Sequence, residues 1–225
     1  MSDFFREVDE ELRRDQLNKA WDRFGPYVIG AAILVVVATG GYRFWQWYQA
    51  RTAGAAGEAY YEAVRKGEES PQDMIAALSQ VSEGGSGYAE LARIRLAAAE
   101  AEAGNTQAAV DAFDAIAADN SVGALARDVA RIRAGYLLID TVSLDEMKAR
   151  VGEMTTDTAP MRHSAREILG LTAYRAGAYA EAAKWFDAIM GDRATPQDMR
   201  ARIELMQSLV TSRLAGSNAG EGSGQ

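Results

Sequence analysis

The chain has 225 residues, 48% of them apolar and 25% charged, which is enough for one globular domain with an appendage and excludes a disordered chain. A formal net charge of −8 argues against a phosphate-binding surface, so no nucleic acid is expected as a partner. There is no cysteine and His163 is the sole histidine, which removes disulfides, thiolate zinc sites and any mechanism that needs two imidazoles.

The first element is a leader over residues 1–23. Phe4, Phe5, Val8, Leu12, Leu17, Trp21 and Phe24 fall roughly on one helical face with charges between them, as in a helix lying on a membrane surface or docking a partner. From Phe24 to Tyr42 no charge occurs, and the centre from Tyr27 to Ala38 is apolar all round. At roughly 1.5 Å per residue this run reaches about 28 Å, close to the ~30 Å of a bilayer's hydrocarbon. Trp21, Phe24 and Tyr27 bracket one end, and Tyr42, Phe44, Trp45, Trp47 and Tyr48 the other. A single transmembrane helix with its aromatic exit is therefore expected over 24–48. A cleaved signal peptide would have a shorter apolar core and would not carry seven acids ahead of it. Arg6, Arg13, Arg14, Lys19 and Arg23 precede the run and only Arg43 and Arg51 closely follow it, which places the N-terminus in the cytoplasm and the rest outside.

Beyond the span, turn signals recur at Gly67, Gly104, Thr141 and Gly177, in steps of 37, 37 and 36 residues. Steps of this size mark stacked helical hairpins, each burying its apolar face against its neighbours. Helix starts at Ser70-Pro71, Asn105-Thr106, Ser143 and Tyr179 predict hairpins pairing 52–66 with 71–82, 88–103 with 106–118, 123–139 with 143–154, and 160–176 with 179–190. A capping helix follows Thr195-Pro196 and ends near Leu214, and the Gly/Ser-rich tail 215–225 is expected to be unstructured. With few prolines and no alternating strand pattern, the predicted fold class is all-α, with a repeat domain over 49–214.

Leu169, Gly170, Gly177, Tyr179, Ala182 and Phe186 stand at the spacing of the tetratricopeptide repeat, and Ala97, Gly104, Ala109 and Phe113 repeat the frame 73 residues earlier. The domain thus resembles tetratricopeptide proteins, although Arg166 and Ala173 occupy positions where aromatics are common and Pro196 comes two places late. The resemblance implies a concave surface lined by the first helix of each hairpin. Carried over residue by residue, the last repeat would present Glu167, Leu171, Tyr174 and Arg175 to a partner, and the second would present Leu91, Ile94 and Ala98.

Over nearly its whole length, from the acidic leader Asp3–Leu12 through the single span and Tyr42-Arg43-Phe44-Trp45 to the degenerate hairpins, the chain is similar to the ancillary SecYEG translocon subunit family. That resemblance implies a bacterial inner-membrane protein whose periplasmic domain works beside the translocation channel. The implied partners are channel subunits, a periplasmic prolyl-isomerase-like chaperone and unfolded clients. A scaffold for another envelope assembly, such as division or secretion machinery, uses the same parts.

Signatures of chemistry are missing: there is no phosphate-binding Gly-x-x-x-x-Gly-Lys loop, no His-Glu-x-x-His pair and no Gly-x-Ser-x-Gly elbow. Glu68-Glu69 and Asp145-Glu146 sit at helix starts, where negative charge suits the helix dipole. His163 is expected at the surface or as a cap. The sequence therefore predicts no catalysis, no cofactor, no metal and no small-molecule substrate.

Overall fold

In the computed structural model the backbone is described for residues 2–85 and 87–222, and the side chains for residues 26, 27, 29–85 and 87–215. The described residues form α-helices and one short 3-10 helix, as the fold class requires. In chain order the helices are α1 (Ser2–Lys66), α2 (Pro71–Ser82), α3 (Gly87–Glu102), α4 (Thr106–Ala118), α5 (Ala124–Leu138) and α6 (Leu144–Val151). A 3-10 turn over Gly152–Thr155 then leads to α7 (Arg162–Arg175), α8 (Tyr179–Gly191) and α9 (Gln197–Gly222). Two compact units are distinguished, Met1–Ala55 and Ala56–Gln225.

In the first unit, leader, apolar run and the start of the first hairpin are one helix, where three elements were expected. Gly40, Gly41 and Pro26 leave the helix assignment unbroken, although Pro26 cannot donate to the ladder. Among the described residues no helix is long and apolar enough to cross a membrane, in contrast to the span predicted over 24–48. The side chains of the leader, and of Phe24, Gly25 and Val28 in the run, lie outside the described residues.

The second unit follows the predicted hairpins closely. Ser70 caps α2, its hydroxyl accepting from the Asp73 amide, with Pro71 in the first turn. Ser143 and Glu146 form a full capping box on α6. Gly104 and Gly177 adopt φ of +82° and +75°, so the turns after α3 and α7 use the left-handed conformation that glycine tolerates. From α2 onward each helix packs on the next in sequence, and α7 also touches α5. The core is accordingly a row of four clusters. Leu78 and Met74 centre the first, Phe113 and Ile116 the second, Met147, Val151 and Ile168 the third, and Phe186, Ile189 and Ile203 the fourth. Nearest-neighbour stability of the solenoid kind follows. The capping helix starts where expected but is helical to Gly222, past the predicted stop at Leu214, and the tail from Gly216 falls outside the described side chains.

Phe186 is fully buried, as the repeat frame requires, with its ring against Gly170; a Cβ on Gly170 would lie 2.4 Å from a ring carbon. Arg166 explains one departure from the frame. It is buried in the place of an aromatic, and its guanidinium donates to Thr155 O, Ala188 O and the Asp157 carboxylate, tying the loop before α7 to the end of α8.

His163 is not at the surface. Its side chain is 13% exposed, and Nε2 stands 2.9 Å from Asp192 Oδ2, which also accepts from Arg162 Nε at 2.6 Å. Arg162, the Ala194 amide and His163 together hold the Asp192 carboxyl well below the usual carboxylate range. Asp119 is lowered to about 2, chiefly by the Ser121 hydroxyl and amide and then by Arg93. Both folded-state pKa values are depressed, so their stabilisation is complete above the unfolded value near ~3.9 and is lost as pH falls through the folded values. The denaturation midpoint should therefore show no loss from these two groups between about pH 7 and 5 and decline below about pH 4, and Asp192→Asn should flatten that decline. Acid titrations of the two proteins that superimpose would contradict the assignment.

Candidate protein-interaction groove

The first helices of successive hairpins, α3, α5 and α7, leave a cleft of about 450 Å³ between them. Its floor is apolar: Ala98 and Ala101 from α3, Ile132 and Leu137 from α5, Met161 just before α7, and Phe113 from behind on α4. Small residues on α3 keep that wall low, and the helical period brings Val129, Arg133, Tyr136 and Leu137 of α5 onto the cleft. Arg133 is exposed at the rim and has no ion-pair or hydrogen-bond partner among the described residues. Glu102, also on the rim, is engaged by Arg95 at 3.1 Å.

The polar end of the cleft is built from a network around the buried Glu167. Tyr136 Oη donates to Glu167 Oε2 at 2.6 Å, and Arg202 donates from Nε and Nη2 to the two Glu167 oxygens at 2.8 and 3.1 Å. Burial, with the Glu167 carboxylate next in weight, pushes the Tyr136 phenol far above its ordinary pKa. Glu167 holds the Arg202 guanidinium more firmly protonated. One carboxylate thereby joins α5, α7 and α9 behind the groove.

The residues expected to meet a partner are placed differently. Glu167 is 4% exposed and wholly engaged in this network. Leu171 is half-buried in the fourth cluster. Tyr174 is half-buried too, edge-on to Tyr179 at 5.5 Å and hydrogen-bonded to Arg213. Arg175 is exposed, but its guanidinium donates to Asp140 O at 2.5 Å and to Val142 O, closing the turn after α5. In the second repeat Leu91 is half exposed and Ala98 does line the cleft, whereas Ile94 packs on the second cluster. Arg133, Tyr136, Met161 and Ser164 were not anticipated. The third hairpin matched the repeat only by turn spacing, so no frame could be carried onto α5.

Among the described residues no three acidic or histidine side chains gather as possible metal ligands. An open groove lined by apolar side chains, with a cation at its rim that is uncompensated among the described residues, on a row of stacked helical hairpins, defines a helical-repeat scaffold for protein–protein interaction. A family model described as tetratricopeptide repeat-like domain matches residues 19–209, and the chain belongs to that family. Repeat domains of this kind are typically non-catalytic. No curated protein and no solved structure matches the chain.

Proposed function

We propose that the chain is a non-catalytic, membrane-anchored accessory subunit of the SecYEG translocon in a bacterial inner membrane, with its N-terminus cytoplasmic and its repeats periplasmic. The observation that carries this reading is the apolar stretch of α1. Ile29, Ile33, Leu34, Val35, Val36 and Val37 are each more than half exposed, and five consecutive residues at 100° steps cover every direction around a helix. Apolar surface of that extent calls for a covering medium, and the uncharged run in the sequence begins earlier, at Phe24, which restores a spanning length. The groove then faces the periplasm. There it takes segments of emerging chains or of a prolyl-isomerase-like chaperone, the partners implied by the resemblance to the ancillary subunits.

The test is a photoreactive residue at position 133, activated in intact membranes. Adducts with channel subunits, the chaperone or nascent clients are the expected result. Adducts confined to division or cell-wall proteins would replace this reading with that of a different envelope scaffold.

A further inference from the structure

The last helix leaves a face that a terminal repeat ordinarily makes polar. Met199, Ile203, Met206 and Val210 of α9 bury one stripe in the fourth cluster. The opposite stripe, Ala201, Leu205, Ser208 and Ser212, follows the 4-3-4 spacing of a helix-packing seam, is exposed and carries no charge. Leu205 is 70% exposed, and Leu209 beside it 49%. The Ser208 hydroxyl donates back to Glu204 O of its own helix, so it offers the stripe no free donor. Stacked repeats need a polar outer face on their end units to stay soluble and discrete. This end is unfinished.

We propose that α9 pairs antiparallel with α9 of a second copy of this chain, a contact that goes beyond the translocon reading and does not depend on it. The stripe is complementary to itself when reversed. Antiparallel alignment about its centre sets Leu205 against Ser208 of the other copy and Ala201 against Ser212, so each leucine meets a small residue and the backbones approach closely. Charge favours the same direction. Along one edge Asp198, 80% exposed and 3.7 Å from Arg202 of its own helix, stands at the N-terminal end, and Arg213, bonded to Tyr174, at the C-terminal end. Antiparallel pairing brings them near each other twice, whereas parallel pairing sets Asp198 on Asp198 and Arg213 on Arg213. The opposite end of the repeat row exposes Glu58, Glu62, Glu68 and Arg65, which does not complement an uncharged stripe and disfavours head-to-tail stacking. The pairing is isologous and closes as a dimer. A seam of about four turns falls at the small end of specific interfaces, so association is reversible.

The natural chain has no cysteine, so single cysteines report this contact cleanly in the full-length protein. On mild oxidation in membranes or detergent, Ser208→Cys, close to the two-fold axis, should give a disulfide-linked dimer. Ala201→Cys should not, because antiparallel copies hold those positions roughly 16 Å apart along the axis. Asp111→Cys on α4 sets the background. Adding Leu205→Glu to Ser208→Cys should cut the dimer yield about tenfold, equivalent to about 1.4 kcal/mol of association, with the helical spectrum unchanged. Equal linkage through Ala201→Cys, linkage of Ser208→Cys to another protein only, or a yield at background would each overturn the proposal.

Discussion

Phe186→Ala should destabilise the repeat domain by about 3 to 5 kcal/mol, the usual penalty for removing a fully enclosed aromatic from a core. The ring is the largest fully buried side chain among the described residues; it lies against Gly170 of α7 and shares the fourth cluster with Ala182 of its own helix and with Ile203 and Val210 of α9. Its loss opens a hole at the junction where the capping helix docks. Collapse to fill that hole would have to move α7, which is pinned by Arg166 and Glu167. Gly170→Ala attacks the same contact from the other side. Its methyl would lie 2.4, 2.8 and 3.0 Å from three ring carbons, and the enclosed ring cannot yield without cost, so about 1 to 3 kcal/mol is expected. In the double variant the methyl enters the space left by the ring, and the combined loss should fall short of the sum by at least about 0.5 kcal/mol. Chemical denaturation followed by helical circular dichroism reads all three. A loss under about 1 kcal/mol for Phe186→Ala, within the range of ordinary substitutions, would mean that the ring is not the keystone of this junction.

Glu167→Ala should cost about 1 to 3 kcal/mol, because it strips the acceptor from a part-buried hydroxyl. The two partners respond differently. Arg202 is half exposed and turns to water, so its share of the loss is small. Tyr136, largely buried by its neighbours, has only Ser164 nearby to replace the carboxylate. Glu167→Gln keeps an acceptor for Tyr136 and should recover most of the stability. With Tyr136→Phe in the background, Glu167→Ala should cost less than it does alone, since no stranded hydroxyl remains. Additive losses would show that the two side chains do not share a bond.

Local signals made most of the fold readable. Ser70-Pro71, Ser143 with Glu146, and the glycines at 104 and 177 each dictate a helix end by their own backbone chemistry, and the structure places those ends within a residue or two of the sequence reading. Phe186 and Ala182 were legible because the repeat frame couples a large residue to a small one at a fixed offset. Continuity of α1 was not. No stop signal separates the apolar run from the first hairpin, and the expected boundary between 48 and 49 rests on the aromatic exit of a membrane span.

The groove was the least legible part, for a physical reason. Glu167 and Arg175 read from sequence as solvent-facing anchors, yet each reaches a partner more than 30 positions away, on α9 and after α5 respectively. Helical periodicity can place a charged residue on a face, but only the packing of distant helices decides whether its charge is already satisfied. Arg133, by contrast, stands out only because the packing of the helices leaves it without a partner among the described residues.

The measurement that bears most directly on the groove compares Arg133→Glu with Arg175→Ala in the full chain, reading partner crosslinking in intact membranes beside helical content. If α3, α5 and α7 form the working surface, Arg133→Glu abolishes most of the adducts with the fold intact, and Arg175→Ala leaves the yield per folded molecule unchanged. Undiminished adducts in Arg133→Glu, with loss in Arg175→Ala, would contradict the account and return the binding surface to the end of α7.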